Sequence, residues 1–186
     1  MREIRNLFTD PLPAGTGTWS VDNGNNKGTP ATCTVTGSQL LVQGYETTSN
    51  AYVVRNVPNV PAGEYVLSVK SVSGTSPTFY GNRLFLIADS MWHILGIVPS
   101  SKLNARGVLQ FDNPSTRGLR VLFQAPNKAN RVAYERMLLC TAEDYEAMLA
   151  AGVEWFSGDM TIRGRGLPSR RLYPHVDRCC ALVVVA

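Results

Sequence analysis

Short runs of β-prone residues follow one another along most of the chain, and turn formers such as Gly, Pro and Asn separate them. A further strand-like stretch lies within the opening loop, around residues 19–21. The main runs cover residues 32–36, 39–43, 51–56, 64–72, 83–88, 92–98, 106–112, 119–124 and 131–139. Many short strands separated by turns are typical of sandwiches and jelly rolls. The sequence therefore predicts an all-β jelly-roll β-sandwich of about nine or ten strands.

Two of these runs alternate clearly between apolar and polar residues. In residues 64–70 the apolar set is Tyr65, Leu67 and Val69, and the opposite set is Glu64, Ser68 and Lys70, with Val66 among them. In residues 119–124 the same alternation places Leu119, Val121 and Phe123 on one side. Since successive strand side chains point to opposite faces, we expect one face on the core and the other toward solvent.

One helix interrupts the β pattern, and it is predicted over residues 141–151. Thr141 is followed three residues later by Asp144, as in a capping box, and acidic residues fill the first turn. Gly152 ends the segment as a left-handed cap would. A helix this short is marginal in isolation, so packing must hold it. The residues expected to pack are Tyr145, Met148 and Leu149.

Composition agrees with an all-β chain and limits the classes of partner. Hydrophobic residues make up 44% of the chain and charged residues 17%, with 16 Gly and 11 Pro. These values argue against helical bundles, coiled coils, collagen and wholly disordered chains. The net charge of +4 comes from the C-terminal end, through Arg163, Arg165, Arg170, Arg171 and Arg178. Because nucleic-acid binders carry basic charge as a stripe on the folded domain, no nucleic-acid partner is expected.

Composition also divides the chain into a jelly-roll domain at 1–163 and a basic, partly apolar C-terminal tail at 164–186. Residues 164–171 have the composition of a linker, and residues 181–186 are an apolar hexamer. No apolar run approaches the roughly 20 residues of a membrane helix, and the N-terminus lacks the apolar core of a secretory signal. We expect no membrane partner and assembly in the cytoplasm.

Nucleophilic chemistry has little support. The cysteines form no CxxC pair and no zinc pattern, which favours reduced thiols. They are Cys33, Cys140, Cys179 and Cys180. No Gly-x-Ser-x-Gly elbow occurs, and the two histidines are His93, in an apolar run, and His175, in the tail. A Cys–His dyad would need Cys33 or Cys140 beside His93, and both cysteines lie in β-prone runs where inert burial is expected.

Acid–base hydrolysis of glycosides needs two carboxylates at a defined separation. The available acids are Glu46, Glu64, Asp89, Asp112, Glu135, Glu154 and Asp159. Nothing in the sequence pairs any two of them. The protein is therefore expected not to be an enzyme, and a glycoside hydrolase is the least favoured alternative.

Metal binding has one faint candidate. Ca²⁺ takes carboxylate and carbonyl oxygens from loops, and Asp10, Asp22 and Asp159 lie in loops. They do not form an Asp-x-Asp-x-Asp pattern, so the sequence assigns no metal ligand. We expect no cofactor, and a structural Ca²⁺ is left as an open alternative.

Carbohydrate binding is the site chemistry that the sequence favours. The apolar faces of sugar rings stack on aromatic rings while polar side chains bind the hydroxyl groups. The aromatic candidates are Trp92, Tyr52, Tyr80 and Tyr45, and the polar candidates are Asn82, Arg83 and Arg120. The aromatic residues assigned to the core instead are Trp19, Phe85, Phe111, Phe123 and Trp155.

Three segments carry a resemblance to a known family. They are Asn6-Leu7-Phe8 with the later Trp19, residues 61–68 (PAGEYVLS), and residues 136–145 (RMLLCTAEDY) followed by 152–160 (GVEWFSGDM). In this order the segments resemble minor structural and tail proteins of phages and prophages from Gram-positive, especially actinobacterial, hosts, which have a carbohydrate-binding-module-like jelly-roll domain. The resemblance covers residues 6–160. Ser157 stands where the family usually has Asp, and the chain departs from the family pattern after Thr161.

The resemblance implies a non-enzymatic phage or prophage tail protein, located in the virion tail. Its domain is expected to bind host cell-wall or surface glycan, or to act as a structural adaptor. The implied partners are that glycan, other tail proteins and further copies of the chain. The alternative is a bacterial carbohydrate-binding module outside a virion.

Overall fold

The computed structural model describes residues 2–8, 10–24, 31–45, 50–163 and 167–168. The described residues form strands, one α-helix and two short 3-10 turns at Tyr80–Asn82 and Ser100–Lys102. The strands and helix are β1 (Arg2–Arg5), β2 (Ser20–Asp22), β3 (Ala31–Thr36), β4 (Gln39–Gly44), β5 (Tyr52–Val60), β6 (Gly63–Val72), β7 (Arg83–Asp89), β8 (Ile94–Pro99), β9 (Arg106–Asn113), β10 (Arg117–Gln124), β11 (Arg131–Thr141), α1 (Ala142–Ala150), β12 (Asp159–Arg163) and β13 (Leu167–Pro168).

Ten of the strands form two five-stranded antiparallel sheets. The front sheet has the order β2-β5-β10-β7-β8, and the back sheet has the order β3-β4-β11-β6-β9. The chain crosses between the sheets repeatedly, because β5 and β6 belong to different sheets, as do β9 and β10. The predicted jelly-roll β-sandwich is therefore confirmed. The nine main runs correspond to β3 through β11, and the stretch near residue 20 is β2.

The main core lies between the sheets and is built around Phe123. Its ring centre lies 4.5 Å from that of Tyr134 on the back sheet and 5.7 Å from that of Trp19. Trp19, Phe85, Phe111 and Phe123 are buried as predicted. Trp155 does not belong to this core; it is only partly buried and packs on a second cluster beside the helix.

Helix α1 covers part of the outer face of the back sheet. Val66 and Ser68 were expected to face solvent but are buried, and Val66 packs in one cluster with Tyr145 and Met148 of the helix. The prediction of one solvated face is therefore wrong for this part of β6. Leu149 was also assigned wrongly, because it is 42% exposed.

The predicted ends of the helix are confirmed. Oγ1 of Thr141 accepts a hydrogen bond from the backbone N–H of Asp144 at 3.2 Å, which is the expected N-cap. Gly152 has a φ of +72°, the left-handed conformation that ends a helix at low cost in glycine.

A small third sheet, with the order β1-β12-β13, joins the first strand to the last ones. Arg2 pairs with Ile162 and Arg5 with Asp159, so residues 159–163 belong to the body of the domain. Leu167–Pro168 pairs with β12. The rest of the predicted tail at 164–186, including Cys179, Cys180 and His175, lies outside the described residues.

Within the part of the chain that the structure describes, no helix has the length and apolar character needed to cross a membrane.

Candidate functional site

The outer face of the front sheet carries an apolar cluster that is separate from the main core. We call it the floor, and it consists of Tyr52, Val54, Leu86, Ala88 and Leu122. Leu122 of β10 lies opposite Val54 of β5 on one side and opposite Leu86 of β7 on the other. These side chains alternate with core residues such as Phe85 and Phe123, so the floor lies on the side away from the back sheet.

Trp92 lies over one end of this face. The sequence placed it at the start of a strand over 92–98, but β8 begins at Ile94, so Trp92 and His93 belong to the turn between β7 and β8. Trp92 has a φ of +70°, which is uncommon for a bulky residue and costs conformational energy. The Arg120 guanidinium carbon lies 4.4 Å from the centre of its ring. The two residues form a cation–π pair at the end of the floor.

Asp89 holds this turn in place from below. Its Oδ1 accepts hydrogen bonds from the backbone N–H groups of Met91 and His93, at 2.8 and 2.9 Å. Its Oδ2 accepts from Nη1 of Arg117 at 2.6 Å and lies 3.0 Å from Nδ1 of His93. Asp89 is thus a buried anchor for the turn that carries Trp92.

The charge state of Asp89 follows from these contacts. Burial alone would raise the pKa of the carboxyl group, but the hydrogen bonds from His93 and Met91 outweigh it and hold the pKa below its usual value. A carboxyl group with a lowered pKa is a poor general acid at neutral pH. Asp89 is therefore a structural anion and is not suited to donate a proton to a glycosidic oxygen.

A shallow depression of about 220 Å³ lies between Trp92 and strand β2. Its walls are Ser20, Val21, Asp22, Val54, Asn56, Trp92 and Arg120. Arg120 and Asn56 lie opposite each other on β10 and β5, which brings an amide and a guanidinium side by side. The depression therefore combines an aromatic ring and the side chains of Val21 and Val54 with polar groups that can bind hydroxyls.

The opposite end of the floor carries more of the predicted residues. Nη1 of Arg83 donates a hydrogen bond to the hydroxyl of Tyr52 at 3.3 Å. Tyr80 and Asn82 lie in the 3-10 turn that leads directly into Arg83, and Tyr80 is 42% exposed. Tyr52 was predicted to lie outside the core, and it does face outward, but it is only 9% exposed. It can therefore offer little ring surface to a ligand.

Tyr45 belongs to the other layer. It follows β4 of the back sheet, and its hydroxyl lies 3.2 Å from Oγ1 of Thr32. Of the predicted aromatic and polar candidates, the structure brings six to the front sheet or to the turns at its ends. Tyr45 is the exception. Whether any of the seven binds a ligand stays a prediction.

Sequence reasoning missed Asn56, Ser20 and the anchor role of Asp89. Asn56 has a recoverable signal, because it lies two positions from Val54 and four from Tyr52 on one strand and must share their face. Ser20 reaches the depression only because β2 pairs with β5, a long-range contact. Asp89 was considered only as one of the available acids, and nothing local shows that its carboxylate pairs with Arg117.

Two of the candidate acids do oppose each other. Glu64 of β6 is the direct partner of Asp112 on β9, yet both are exposed on the back sheet and neither lines the depression.

Another candidate acid, Glu135, binds Lys70 at 3.0 Å and Gln39 at 2.7 Å. Burial would raise its pKa, but these partners lower it. Glu46 lies outside the described residues.

The aspartates considered for Ca²⁺ are each used locally. Oδ1 of Asp10 accepts from the backbone of Ala14, Oδ1 of Asp22 accepts from that of Gly24, and Asp159 lies 3.6 Å from Arg5. Over the described ranges, no group of three or more His, Cys, Asp or Glu residues could hold a metal ion.

The two described cysteines are unpaired and poorly reactive. Cys140 is buried beneath the helix, and burial raises its pKa to about 12. Burial also raises the pKa of Cys33. Since the thiolate is the nucleophile, neither site favours cysteine chemistry.

Comparison with known proteins identifies the fold. No protein-family model matches the sequence, and no curated protein matches it. A solved structure described as "CBM4 structure and function" matches with a TM-score of 0.50 and 12% identity, over 73% of this chain and 96% of that one. Xylanase 10C from Cellvibrio japonicus, in complex with xylopentaose, matches with a TM-score of 0.51 and 9% identity, over 70% of this chain. The match spans only 28% of the xylanase chain.

At these identities the likeness is one of fold. The chain has the jelly-roll fold of carbohydrate-binding modules.

Proposed function

We propose that this protein is a non-enzymatic module that binds carbohydrate on the outer face of its front sheet. The observation that carries the proposal is the position of Trp92, a half-exposed ring that lines the depression together with Arg120 and Asn56. An aromatic ring can bind the apolar face of a sugar, and neighbouring polar groups can bind its hydroxyls.

The fold adds support of a coarser kind. Carbohydrate-binding modules share this jelly roll, and the match to one of them covers 96% of that module's chain. A fold hosts many functions, so the argument for sugar binding rests on the face itself.

The finer proposal is that the protein is a tail component of a phage or prophage, assembled in the bacterial cytoplasm and carried in the virion. Its support is the resemblance of residues 6–160 to such proteins. Host cell-wall glycan and other tail proteins are then its partners. A carbohydrate-binding module outside a virion fits the same fold and the same face equally well, and a structural adaptor needs no glycan.

Glycan binding is tested by presenting the purified chain to a glycan array and to Gram-positive cell-wall fragments. Wild-type protein is expected to bind, and Trp92→Ala to lose most of that binding. Tyr45→Ala is the matched control, since Tyr45 is 48% exposed, close to the 45% of Trp92, but follows a strand of the other sheet. Loss in Tyr45→Ala alone would move the site to the back sheet. No binding to any glycan would favour the adaptor.

The tail assignment is tested separately. Phage particles induced from a host that encodes the chain are purified and analysed by mass spectrometry. Recovery of the protein in intact particles at a fixed copy number supports a tail component. Complete particles that lack it support the module outside a virion.

A further inference from the structure

Two guanidinium groups stand at the two ends of the floor. Arg120 lies at the Asn56 end, under Trp92, and Arg83 lies at the Tyr52 end. Tyr52 and Asn56 are four residues apart on β5, so the two ends are separated by roughly 13 Å along the strand. The face therefore has a cation at each end of a buried apolar cluster.

Neither guanidinium is neutralised by a carboxylate within the described residues. The ion pair of this region joins Asp89 to Arg117, with His93 beside it. Arg117 also donates from Nε to the side chain of Asn113 at 2.8 Å, so its charge and its donors are used inside the protein. Arg117 is a structural arginine, and Arg83 and Arg120 differ from it because no acid in the described part of the chain pairs with them.

Aromatic residues hold Arg83 and Arg120 without cancelling their charge. Arg120 stacks on the Trp92 ring, and stacking leaves the N–H donors in the guanidinium plane available. Arg83 gives one donor to the Tyr52 hydroxyl and keeps the others. Both groups are thus oriented in advance, which lowers the entropy cost of binding an anion.

The carboxylates near this face do not offset the two cations. Asp22 lines the depression and lies opposite Tyr52, at the Arg83 end, where one of its oxygens accepts from the backbone of Gly24; among the described residues it forms no ion pair with Arg83 or Arg120. Asp89 lies beneath the surface and is occupied by Arg117 and His93. The described face has two arginines to one half-buried acid, which favours a negatively charged ligand.

We infer that the ligand of this face is an acidic polysaccharide, one that carries carboxylate or phosphate groups along its chain. The inference rests on the proposed carbohydrate site and specifies its substrate class. A guanidinium binds carboxylate and phosphate in a paired, planar geometry, whereas a neutral sugar offers only hydroxyl groups. Trp92, which is 45% exposed, offers the ring surface that a sugar face can pack on, and the arginines bind acidic groups at either end of the face.

The test compares three polymers: a neutral glucan or xylan, a uronate polymer and a polyol-phosphate polymer such as a teichoic acid. Affinity is measured by calorimetry at low and at physiological salt. The wild-type chain is expected to bind at least one acidic polymer about tenfold more tightly than the neutral one at low salt, as one charge-assisted contact allows. The two acidic polymers separate carboxylate from phosphate as the group recognised.

Arg83→Gln and Arg120→Gln are each expected to weaken acidic binding several-fold and to reduce its salt dependence. Arg120→Lys keeps the charge but loses the planar fork, so an intermediate loss is expected. Arg131→Gln is the matched control, because Arg131 is an exposed arginine on the back sheet. A double variant, Arg170→Gln with Arg171→Gln, controls for attraction of the acidic polymers to the basic C-terminal region.

Three outcomes would overturn the inference. Equal loss in Arg131→Gln or in the Arg170/Arg171 variant would show general charge attraction. Tight, salt-independent binding of the neutral polymer alone, lost in Trp92→Ala, would keep the proposed function and remove the acidic specificity. No binding of any polymer by folded protein would remove the proposed function as well.

Discussion

Arg117 donates a hydrogen bond from Nη1 to Oδ2 of Asp89 at 2.6 Å, and the carboxylate that receives it is only 1% exposed. This contact joins β10 to the end of β7, directly below the turn that carries Trp92. The orientation of the candidate ligand-binding ring is therefore set by a buried ion pair that does not itself line the depression.

Asp89→Asn is expected to loosen this turn and weaken glycan binding without removing a group from the binding face. The amide keeps an oxygen for the backbone N–H groups but loses the charge that pairs with Arg117. Urea unfolding should show lower stability, and acrylamide quenching of tryptophan fluorescence should increase. Asp112→Asn, an exposed acid on β9, is the control. Equal effects of the two variants would contradict the anchor role.

Stability is expected to fall in acid. The folded-state pKa of Asp89 lies below its usual value of 3.8. The ionised carboxylate therefore adds fully to the free energy of unfolding above pH 3.8, and this stabilisation is lost as the pH falls through the folded-state pKa. Glu135, whose pKa is also lowered, adds to the same loss. Urea unfolding at a series of pH values from 6 down to 2.5 measures the change. In Asp89→Asn the free energy of unfolding should fall less steeply with decreasing pH. The same slope as in the wild-type protein would argue against a contribution from Asp89.

Asn6→Ala is expected to destabilise the domain by about 3 kcal/mol, because it leaves several buried backbone groups without partners. Nδ2 of Asn6 donates to the carbonyls of Met137 and Phe156, and Oδ1 accepts from the N–H groups of Phe8 and Leu139. The free energy of unfolding in urea is the measurement.

The control for that variant is Asn56→Ala. Asn56 is an exposed asparagine, so its stability change is expected to stay within about 0.5 kcal/mol while glycan affinity falls. If Asn6→Ala were as stable as Asn56→Ala, the side chain of Asn6 would not hold the opening segment to β11.

Tyr134→Phe is expected to cost about 1 kcal/mol. The Tyr134 hydroxyl, on the back sheet, donates to the carbonyl of Leu84 on the front sheet at 3.1 Å, inside the core. Burial raises the pKa of this phenol far above its normal value, so it stays a neutral donor at any working pH. Thermal unfolding of Tyr134→Phe and of Tyr65→Phe, whose hydroxyl bonds only locally to Pro61, gives the comparison. A smaller decrease in Tm for Tyr134→Phe than for Tyr65→Phe would contradict the role of the Tyr134 hydroxyl in joining the two sheets.

The strands of both main sheets could be predicted because their signals are local. Alternation and turn residues mark β3 to β11, and the ends of α1 follow from Thr141 and Gly152. The coverage of Val66 by the helix could not be predicted, because it depends on where the helix docks and not on the pattern within β6.

The candidate site was predictable only in part, for a related reason. Trp92 and Arg120 were named from residue type, but their stacking depends on a turn whose geometry is set by Asp89. Arg83 and Tyr52 meet because β7 and β5 both pair with β10 in a particular register. Register is a tertiary property, and a shift of one residue would have placed these side chains on opposite faces.

The pairing of β1 with β12 has a mechanical consequence. Residue 2 lies opposite residue 162, so the two ends of the domain's backbone lie side by side at one edge. A pulling force applied through both ends would open the hydrogen bonds between these strands one after another, like a zip, instead of loading them all at once. This pairing therefore offers little mechanical resistance to tension applied between residues 2 and 162.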